Sequence, residues 1–158
     1  MNDVGKPNMG TAGVPQPVLS GAQKKILLVD DDSFLVDMYS VKFKAAGYDV
    51  QGCISAEEAL QVLRGGFRAS VIVFDLIMPE HDGFYFLDYL QKERLEGSAL
   101  LIALTNESDD AVHAKVMELG VSRLIVKANM IPSEVVNAVA EEIAKSRQTG
   151  TAGVLTSP

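Results

Sequence analysis

The chain has 158 residues, 47% of them apolar, with a mean hydropathy of +0.15; this composition excludes a disordered protein and suits a single domain. Asp and Glu outnumber Lys and Arg by 21 to 14, a net charge of −7, which argues against binding to nucleic acid or to an anionic membrane. A single cysteine, no apolar leader and no apolar run of bilayer length indicate a cytoplasmic protein without disulfides.

The two ends are poor in large apolar residues. Residues 1–23 contain four Gly and three Pro, and residues 148–158 read QTGTAGVLTSP. Neither segment can bury enough apolar surface to offset the entropy lost on ordering. We therefore expect flexible tails over residues 1–23 and 148–158, with a folded domain over residues 24–147.

The first part of the folded region predicts two β/α units. Residues 26–29 are a continuous apolar run typical of a buried strand, and the helix that follows ends at Gly47. The apolar residues with helical spacing in this helix are Phe34, Leu35, Met38, Val41 and Phe43. A second strand is predicted over residues 48–53. Ser55 and Glu58 then form a capping box that begins the second helix, which ends at a pair of glycines.

Three further β/α units follow. Their predicted strands are residues 71–74, 99–104 and 124–126. Their predicted helices cover residues 84–94, residues 108–119, and a segment after Pro132 with Val135, Val136, Val139 and Ile143 on one face. Strands that are apolar on both faces need helices on both sides and right-handed crossovers. The sequence therefore predicts a three-layer, doubly wound α/β fold with a five-stranded parallel sheet and five helices.

Polar residues stand where four of the predicted strands end. In chain order they are residues 30–32 (all Asp), Asp75, Thr105 and Lys127. The carboxyl ends of parallel strands share one edge of a sheet, and ligands bind there. We therefore expect these side chains to lie together.

The carboxylates at this edge need a cation. Three of them within about 4 Å would repel at roughly 4 kcal/mol per pair at an effective dielectric constant near 20. Oxygen ligands completed by water suit Mg²⁺ better than Ca²⁺, and two histidines with one cysteine leave zinc without a ligand set. Thr105 and Lys127, facing a metal-bound carboxylate, are suited to hold the oxygens of a phosphoryl group that this carboxylate receives as nucleophile.

Four motifs, in order and correctly spaced, resemble the receiver domain of two-component response regulators. They are LLVDDDS at 27–33, VIVFDLIMPEHDGF at 71–84, LIALTNES at 101–108 and LIVKA at 124–128. The resemblance covers residues 24–147. It implies a flavodoxin-like sheet with the strand order 2-1-3-4-5.

The resemblance also implies a role for each site residue. Asp75 would accept a phosphoryl group from a sensor histidine kinase or a histidine phosphotransfer protein. Thr105 would be the switch hydroxyl and Lys127 the phosphate-binding lysine. The positions that match the Mg²⁺ ligands are Asp30, Asp31, Asp75 and the backbone carbonyl of Ile77. Asp32 matches no shared role, and we assign it to the N-cap of the first helix.

Two positions depart from the family pattern. The family lysine usually precedes a proline in a cis peptide, whereas here it precedes Ala128. A cis bond before a non-proline residue costs about 2.5–4 kcal/mol. We therefore predict a trans Lys127–Ala128 peptide and a rebuilt loop. Leu124 stands where the family usually has an aromatic ring that moves with the threonine, so we expect signalling through a loop or the fourth helix. Glu107 and Ile77 are expected to flank the pocket mouth, where access of water is controlled.

The eleven residues 148–158 are too few for an output domain, which predicts a stand-alone receiver. Its output would be a downstream partner protein, a homodimer through the face formed by the fourth helix, fifth strand and fifth helix, or a phosphorelay to a histidine. No nucleic-acid or membrane partner is expected.

Two alternatives remain open. The LLVDDD motif also matches the opening of haloacid-dehalogenase-like phosphatases, with Asp30 as nucleophile and Asp32 as general acid, but no acidic strand motif follows Lys127. A receiver-like module that binds partners without phosphorylation is favoured by Ala128 and Leu124. Labelling by acetyl phosphate with Mg²⁺ separates the three hypotheses.

Overall fold

The computed structural model describes residues 24–107 and 109–156. The strands are β1 (Lys25–Val29), β2 (Asp49–Cys53), β3 (Val71–Asp75), β4 (Leu100–Thr105) and β5 (Arg123–Val126). The helices are α1 (Ser33–Ala45), α2 (Ala56–Arg64), α3 (Gly83–Lys92), α4 (Asp110–Glu118) and α5 (Pro132–Thr156). The predicted N-terminal tail, residues 1–23, lies outside the described residues.

The strands form one parallel sheet in the order β2-β1-β3-β4-β5, which confirms the predicted fold class. Alternate residues of each strand face opposite sides of the sheet. In β1, Leu27 and Val29 belong to the core on the side of α2, α3 and α4, whereas Ile26 and Leu28 belong to the core on the side of α1 and α5. Because helices cover both faces, the central strands are apolar at successive positions rather than at alternate ones.

Helix α1 buries a different face from the one that its apolar spacing predicted. Its buried residues are Val36, Tyr39 and Phe43, whereas Phe34 and Val41 are 65% and 68% exposed, so the prediction was wrong for these two. The rotation of α1 follows from a close contact with the sheet: Val36 packs on Gly52, where a Cβ would lie 2.6 Å from Val36 Cγ1. Hydrophobic spacing along one helix does not contain this information.

Two helix boundaries also differ from the predicted ones. Helix α4 begins at Asp110 with Asp109 as its N-cap, and residue 108, where it was predicted to begin, lies outside the described residues. Helix α5 continues to Thr156, past the predicted boundary at residue 147. The segment after residue 147 has no proline before Pro158, and glycine weakens a helix by about 1 kcal/mol without ending it. The flexibility of residues 148–158 stays a prediction.

No helix in the described part of the chain is both long enough and apolar enough to span a bilayer.

Gly83 is needed where α3 begins beneath the end of β3. A Cβ at this position would lie 2.6 Å from the Asp75 carbonyl oxygen and 2.6 Å from Leu76 Cα. We expect Gly83→Ala to lower the free energy of unfolding by about 1–3 kcal/mol, since backbone atoms must shift to admit the methyl group. Gly65→Ala is the control, because Gly65 has φ −78 and its Cβ would meet nothing closer than 3.3 Å. Urea denaturation measures both, and equal stabilities of the two variants would contradict this account.

Candidate functional site

Four strand ends meet at the carboxyl edge of the sheet, as the sequence predicted for parallel strands. Asp30 directly follows β1, Asp75 is the last residue of β3, Thr105 is the last residue of β4, and Lys127 directly follows β5. The parallel register of β3, β4 and β5 aligns these ends. Asp30, Asp75 and Thr105 are the buried polar residues of this edge.

The ammonium group of Lys127 joins two buried carboxylates. Its Nζ lies 2.7 Å from Asp30 Oδ2 and 2.9 Å from Asp75 Oδ2, and the three side chains are 7%, 0% and 4% exposed. The other oxygen of each carboxylate accepts a backbone N–H, from Asp32 at 3.0 Å for Asp30 and from Ile77 at 3.1 Å for Asp75. All four oxygens are therefore bonded, which fixes the orientation of both carboxylates.

Asp31 adds a third carboxylate to this pair. Asp31 is exposed, and one carboxylate oxygen each from Asp30, Asp31 and Asp75 lies within 4.8 Å of the other two. When ionised, three carboxylates and the one ammonium group of Lys127 leave two uncompensated negative charges. An all-oxygen set with excess negative charge fits a hard divalent cation such as Mg²⁺, whose remaining ligands are usually waters. The residues present therefore fit the ion that the sequence predicted.

The electrostatics of the cluster separate Asp75 from an ordinary surface aspartate. Burial raises the pKa of Asp75, the hydrogen bond and charge of Lys127 lower it, and the charge of Asp30 raises it, so that the pKa is raised on balance. Burial alone would lower the pKa of Lys127, but its hydrogen bonds to Asp30 and Asp75 outweigh burial and raise it. A buried carboxylate with a perturbed pKa and one specific charged partner in a cleft is a candidate functional group.

Thr105 lies at the expected strand end, but its hydroxyl is committed elsewhere. The side chain is buried, and Oγ1 donates to the Glu107 carbonyl at 3.2 Å and accepts the Glu107 N–H at 3.4 Å. These bonds close a small turn at the start of the β4–α4 loop. The structure thus brings Asp30, Asp31, Asp75 and Lys127 into direct proximity, while the Thr105 hydroxyl is held by the adjacent loop.

The Lys127–Ala128 peptide is trans, as predicted, since none of the described peptide bonds is cis. The loop turns at once, with the Met130 N–H donating to the Lys127 carbonyl at 3.1 Å. Lys127 reaches both carboxylates in this loop. The missing proline therefore does not displace the ammonium group from the cluster. Leu124 is half-buried against the core on the side of α2, α3 and α4.

The cluster lies in a cleft of about 370 Å³ between the start of α1 and the loop before α5. The cleft is lined by Asp30, Asp31, Asp32, Leu35, Tyr39, Asp75, Ile77, Asn106, Lys127, Met130 and Pro132. Ile77 is 65% exposed at the rim, consistent with the expected place at the mouth, and Glu107 is exposed next to Asn106.

The sequence interpretation missed Tyr39 as a cleft residue. The available signal was its position seven residues after the Asp32 N-cap, because two helical turns return to the same face of a helix. The Asp32 cap itself is confirmed: its carboxylate accepts the N–H groups of Phe34 and Leu35.

Comparisons with known proteins agree with the observed fold. Residues 26–140 match the family model of the response regulator receiver domain. The probable transcriptional regulator ycf27 of Porphyridium aerugineum is 32% identical over 105 residues, which cover 66% of this chain and 42% of that protein. The alkaline phosphatase synthesis transcriptional regulatory protein PhoP of Bacillus subtilis is 31% identical over 104 residues, again 66% of this chain and 42% of that protein.

Solved structures of response regulators share this fold. The chemotaxis response regulator CheY4 of Vibrio cholerae superposes with a TM-score of 0.68 at 25% identity, covering 77% of this chain and 99% of CheY4. The BeF3-activated receiver domain of DrrB from Thermotoga maritima superposes with a TM-score of 0.63 at 25% identity, covering 78% of this chain and 99% of that domain. This chain spans less than half the length of the two curated relatives named above.

Proposed function

The chain belongs to the response regulator receiver domain family, and from this premise we propose that it is a signalling switch that accepts a phosphoryl group on Asp75 in a Mg²⁺-dependent reaction. The observation that carries the proposal is the Lys127 ammonium group held between Asp30 and Asp75. This arrangement supplies a buried nucleophilic carboxylate with a fixed positive charge beside it, which is what transfer of an anionic phosphoryl group requires.

In the proposed reaction an oxygen of Asp75 forms a bond to phosphorus while the bond from phosphorus to the donor's imidazole nitrogen breaks. The leaving nitrogen keeps the electron pair. Lys127 would keep its bond to Asp30 and exchange its bond to Asp75 for one to a phosphoryl oxygen. Asp30, Asp31 and Asp75, with the carbonyl of Ile77, would hold Mg²⁺, which when bound supplies positive charge that offsets the charge on the transferring oxygens.

Phosphorylation would be read through the loop after β4. It adds about −1.5 to −2 charges at Asp75, and the Thr105 hydroxyl would leave the Glu107 carbonyl to donate to a phosphoryl oxygen. Leu124 has no ring to follow this motion, so we propose that the β4–α4 loop and α4 carry the signal to the face formed by α4, β5 and α5. Inverting a 1:99 population needs about 5.5 kcal/mol, which a few charge-assisted hydrogen bonds supply.

The proposed partners follow from this reaction. A sensor histidine kinase or a histidine phosphotransfer protein would donate the phosphoryl group, and a downstream protein or a second copy of this chain would bind the face formed by α4, β5 and α5. The relatives include a transcriptional regulator of Synechocystis described as DNA-binding. Because this chain has a net charge of −7, we propose that its own partners are proteins rather than nucleic acid. We also propose a cytoplasmic location and no catalytic turnover of a separate substrate.

Incubation with acetyl phosphate and Mg²⁺ tests the proposal, and intact mass spectrometry counts the phosphoryl groups. We expect one phosphoryl group per chain, located on Asp75, and no labelling when EDTA removes the metal ion. Rapid release of phosphate through Asp30 would instead indicate the phosphatase alternative. No reaction with acetyl phosphate or with phosphoramidate would leave the module that binds partners without phosphorylation, the alternative favoured by Ala128 and Leu124.

A further inference from the structure

Tyr39 is the one large aromatic side chain among the described residues that line the acidic cleft. It lies on the inner face of α1 and is only 2% exposed. Its ring packs in the core between the sheet, α1 and α5, and it reaches the cleft beside Lys127 and Met130. The ring therefore has a packing role, but packing gives no reason for a hydroxyl at this depth.

The hydroxyl of Tyr39 has no hydrogen-bond partner among the residues that the structure describes. None of the hydrogen bonds between described residues involves it, and it is not among the described residues that have additional interactions. The only fully buried side-chain polar atom without a partner in the described part of the chain is Oε1 of Glu96, so the Tyr39 hydroxyl keeps some accessible surface, and Tyr39 is one of the residues that line the cleft. A phenol hydroxyl without a protein partner forms its hydrogen bond with water or with a bound ligand, and for Tyr39 we infer that this partner lies in the cleft.

The other side-chain donors described at this edge of the sheet are already committed or exposed. Lys127 bonds to two carboxylates, and the Thr105 hydroxyl bonds to the Glu107 carbonyl. The Asn106 side chain lines the cleft but is exposed. Among the side-chain donors described at this edge, Tyr39 is thus the buried one that can bind an anion without first giving up a bond to another described residue.

Resting on the proposed function, we propose that the Tyr39 hydroxyl is a phosphoryl-binding group, which donates a hydrogen bond to an oxygen of the phosphoryl group carried by Asp75. The group remains a donor at neutral pH, because burial raises the pKa of Tyr39 further above its ordinary value than the nearby Lys127 charge lowers it. Asp30 and Asp75 add to the increase. The carboxylates and the phenol therefore share one electrostatic environment.

The hydrogen bond would also link the phosphoryl group to α1. Tyr39 lies on the same helix as Val36 and Phe43, which pack against the core shared with α5. Asp32, the N-cap of α1, donates its backbone N–H to Asp30. Helix α1 would then contact the phosphoryl group through Tyr39 near its middle and a metal-binding carboxylate through its N-cap.

The test is Tyr39→Phe, which removes the hydroxyl and keeps the packed ring. Tyr48→Phe is the matched control, because Tyr48 is a half-buried tyrosine that packs edge-on against Phe43 at the start of β2, away from the cleft. Isothermal titration calorimetry measures two affinities for each protein: that for Mg²⁺ alone, and that for beryllium fluoride in saturating Mg²⁺. Urea denaturation checks that both variants fold.

We expect Tyr39→Phe to bind beryllium fluoride about tenfold more weakly than the wild type, the loss expected for one hydrogen bond to a charged group. Its Mg²⁺ affinity and that of Tyr48→Phe should be unchanged. Equal beryllium fluoride affinities in Tyr39→Phe and wild type overturn the inference, and so does a parallel loss of Mg²⁺ affinity, which would mean that the hydroxyl supports the carboxylates instead. A wild-type chain that neither binds beryllium fluoride nor is labelled by acetyl phosphate overturns the proposed function as well.

Discussion

The Asp75→Asn variant is expected to carry no phosphoryl group after incubation with acetyl phosphate and Mg²⁺, under conditions that label the wild-type chain fully. A side-chain amide cannot act as the nucleophile, so the loss should be complete rather than partial. The amide oxygen can still accept the backbone N–H of Ile77, which Asp75 Oδ1 accepts at 3.1 Å. Lys127 keeps Asp30 as a partner at 2.7 Å in this variant, so no buried charge is left unpaired and a gross loss of stability is not expected.

Asp88→Asn is the matched control for this experiment. Asp88 lies on α3 with a side chain that is 59% exposed and paired with Lys92 at 3.3 Å, and it should leave labelling unchanged. Persistent labelling of Asp75→Asn would show that the acceptor is misassigned. Asp30→Asn then becomes informative, because the phosphatase alternative requires Asp30 as its nucleophile and predicts that Asp75 is dispensable.

The sheet and its acidic edge could be predicted because they depend on local features of the sequence, namely apolar strands and the polar residues at their ends. A strand such as β3, with all five residues buried, can only lie inside a sheet covered on both faces, and repeated β/α units then fix the topology class. The residue after each such strand must lie at the carboxyl edge. This is why Asp30, Asp75 and Lys127 could be expected together without any knowledge of their side-chain conformations.

The details that could not be predicted depend on contacts between distant residues or on competing local bonds. The rotation of α1 follows from the contact of Val36 with Gly52 on β2, and this rotation brings Tyr39 rather than Phe34 inward. The hydroxyl of Thr105 could face the phosphoryl site or the loop, and the nearby Glu107 backbone supplies both a donor and an acceptor for it. Sequence spacing gives the position of such a residue but not which of two hydrogen bonds it makes.

Lys127→Met is expected to lower the free energy of unfolding by about 3–5 kcal/mol at neutral pH in metal-free buffer, the usual effect of removing one partner of a buried ion pair. The variant keeps the apolar stem and loses the ammonium group that both Asp30 and Asp75 contact. Lys92→Met is the control, since the Lys92 side chain is 63% exposed in an i,i+4 pair with Asp88, and such surface pairs contribute about 0–1 kcal/mol. Urea denaturation in EDTA should separate the two variants clearly, and equal stabilities would contradict the proposed role of Lys127.

Mg²⁺ should restore more stability to Lys127→Met than it adds to the wild type. The variant's three carboxylates have lost their ammonium partner, so the divalent cation binds a more negative site without competing with Lys127. Binding to the folded state raises stability by RT ln(1 + [L]/Kd), and the tighter site gains more at the same Mg²⁺ concentration. The measurement is the shift of the urea midpoint with added MgCl₂ for both proteins. An equal shift in the two would show that Lys127 and the metal ion do not share these carboxylates.

The stability difference between wild type and Lys127→Met should also depend on pH. In the wild type, burial raises the pKa of Asp75 and Lys127 lowers it, so the substitution should raise this pKa further. A folded carboxyl with a raised pKa binds its proton more tightly than the unfolded chain does, and the variant therefore loses stability as the pH rises from the ordinary value of 3.8 through the raised pKa. The difference should grow from acidic to neutral pH.

At alkaline pH the stability difference between wild type and Lys127→Met should become smaller again, because the wild type then loses the stabilisation that the charge of Lys127 gave it. Burial lowers the pKa of Lys127, but the bonds to Asp30 and Asp75 raise it above 10.5. The stabilisation is complete below 10.5 and is lost as the pH rises through the raised pKa. Urea midpoints measured for both proteins from acidic to alkaline pH should thus differ most between these two limits. A difference that stays constant across the range would contradict a stabilising role for the charge of Lys127, because Lys127→Met keeps the apolar stem.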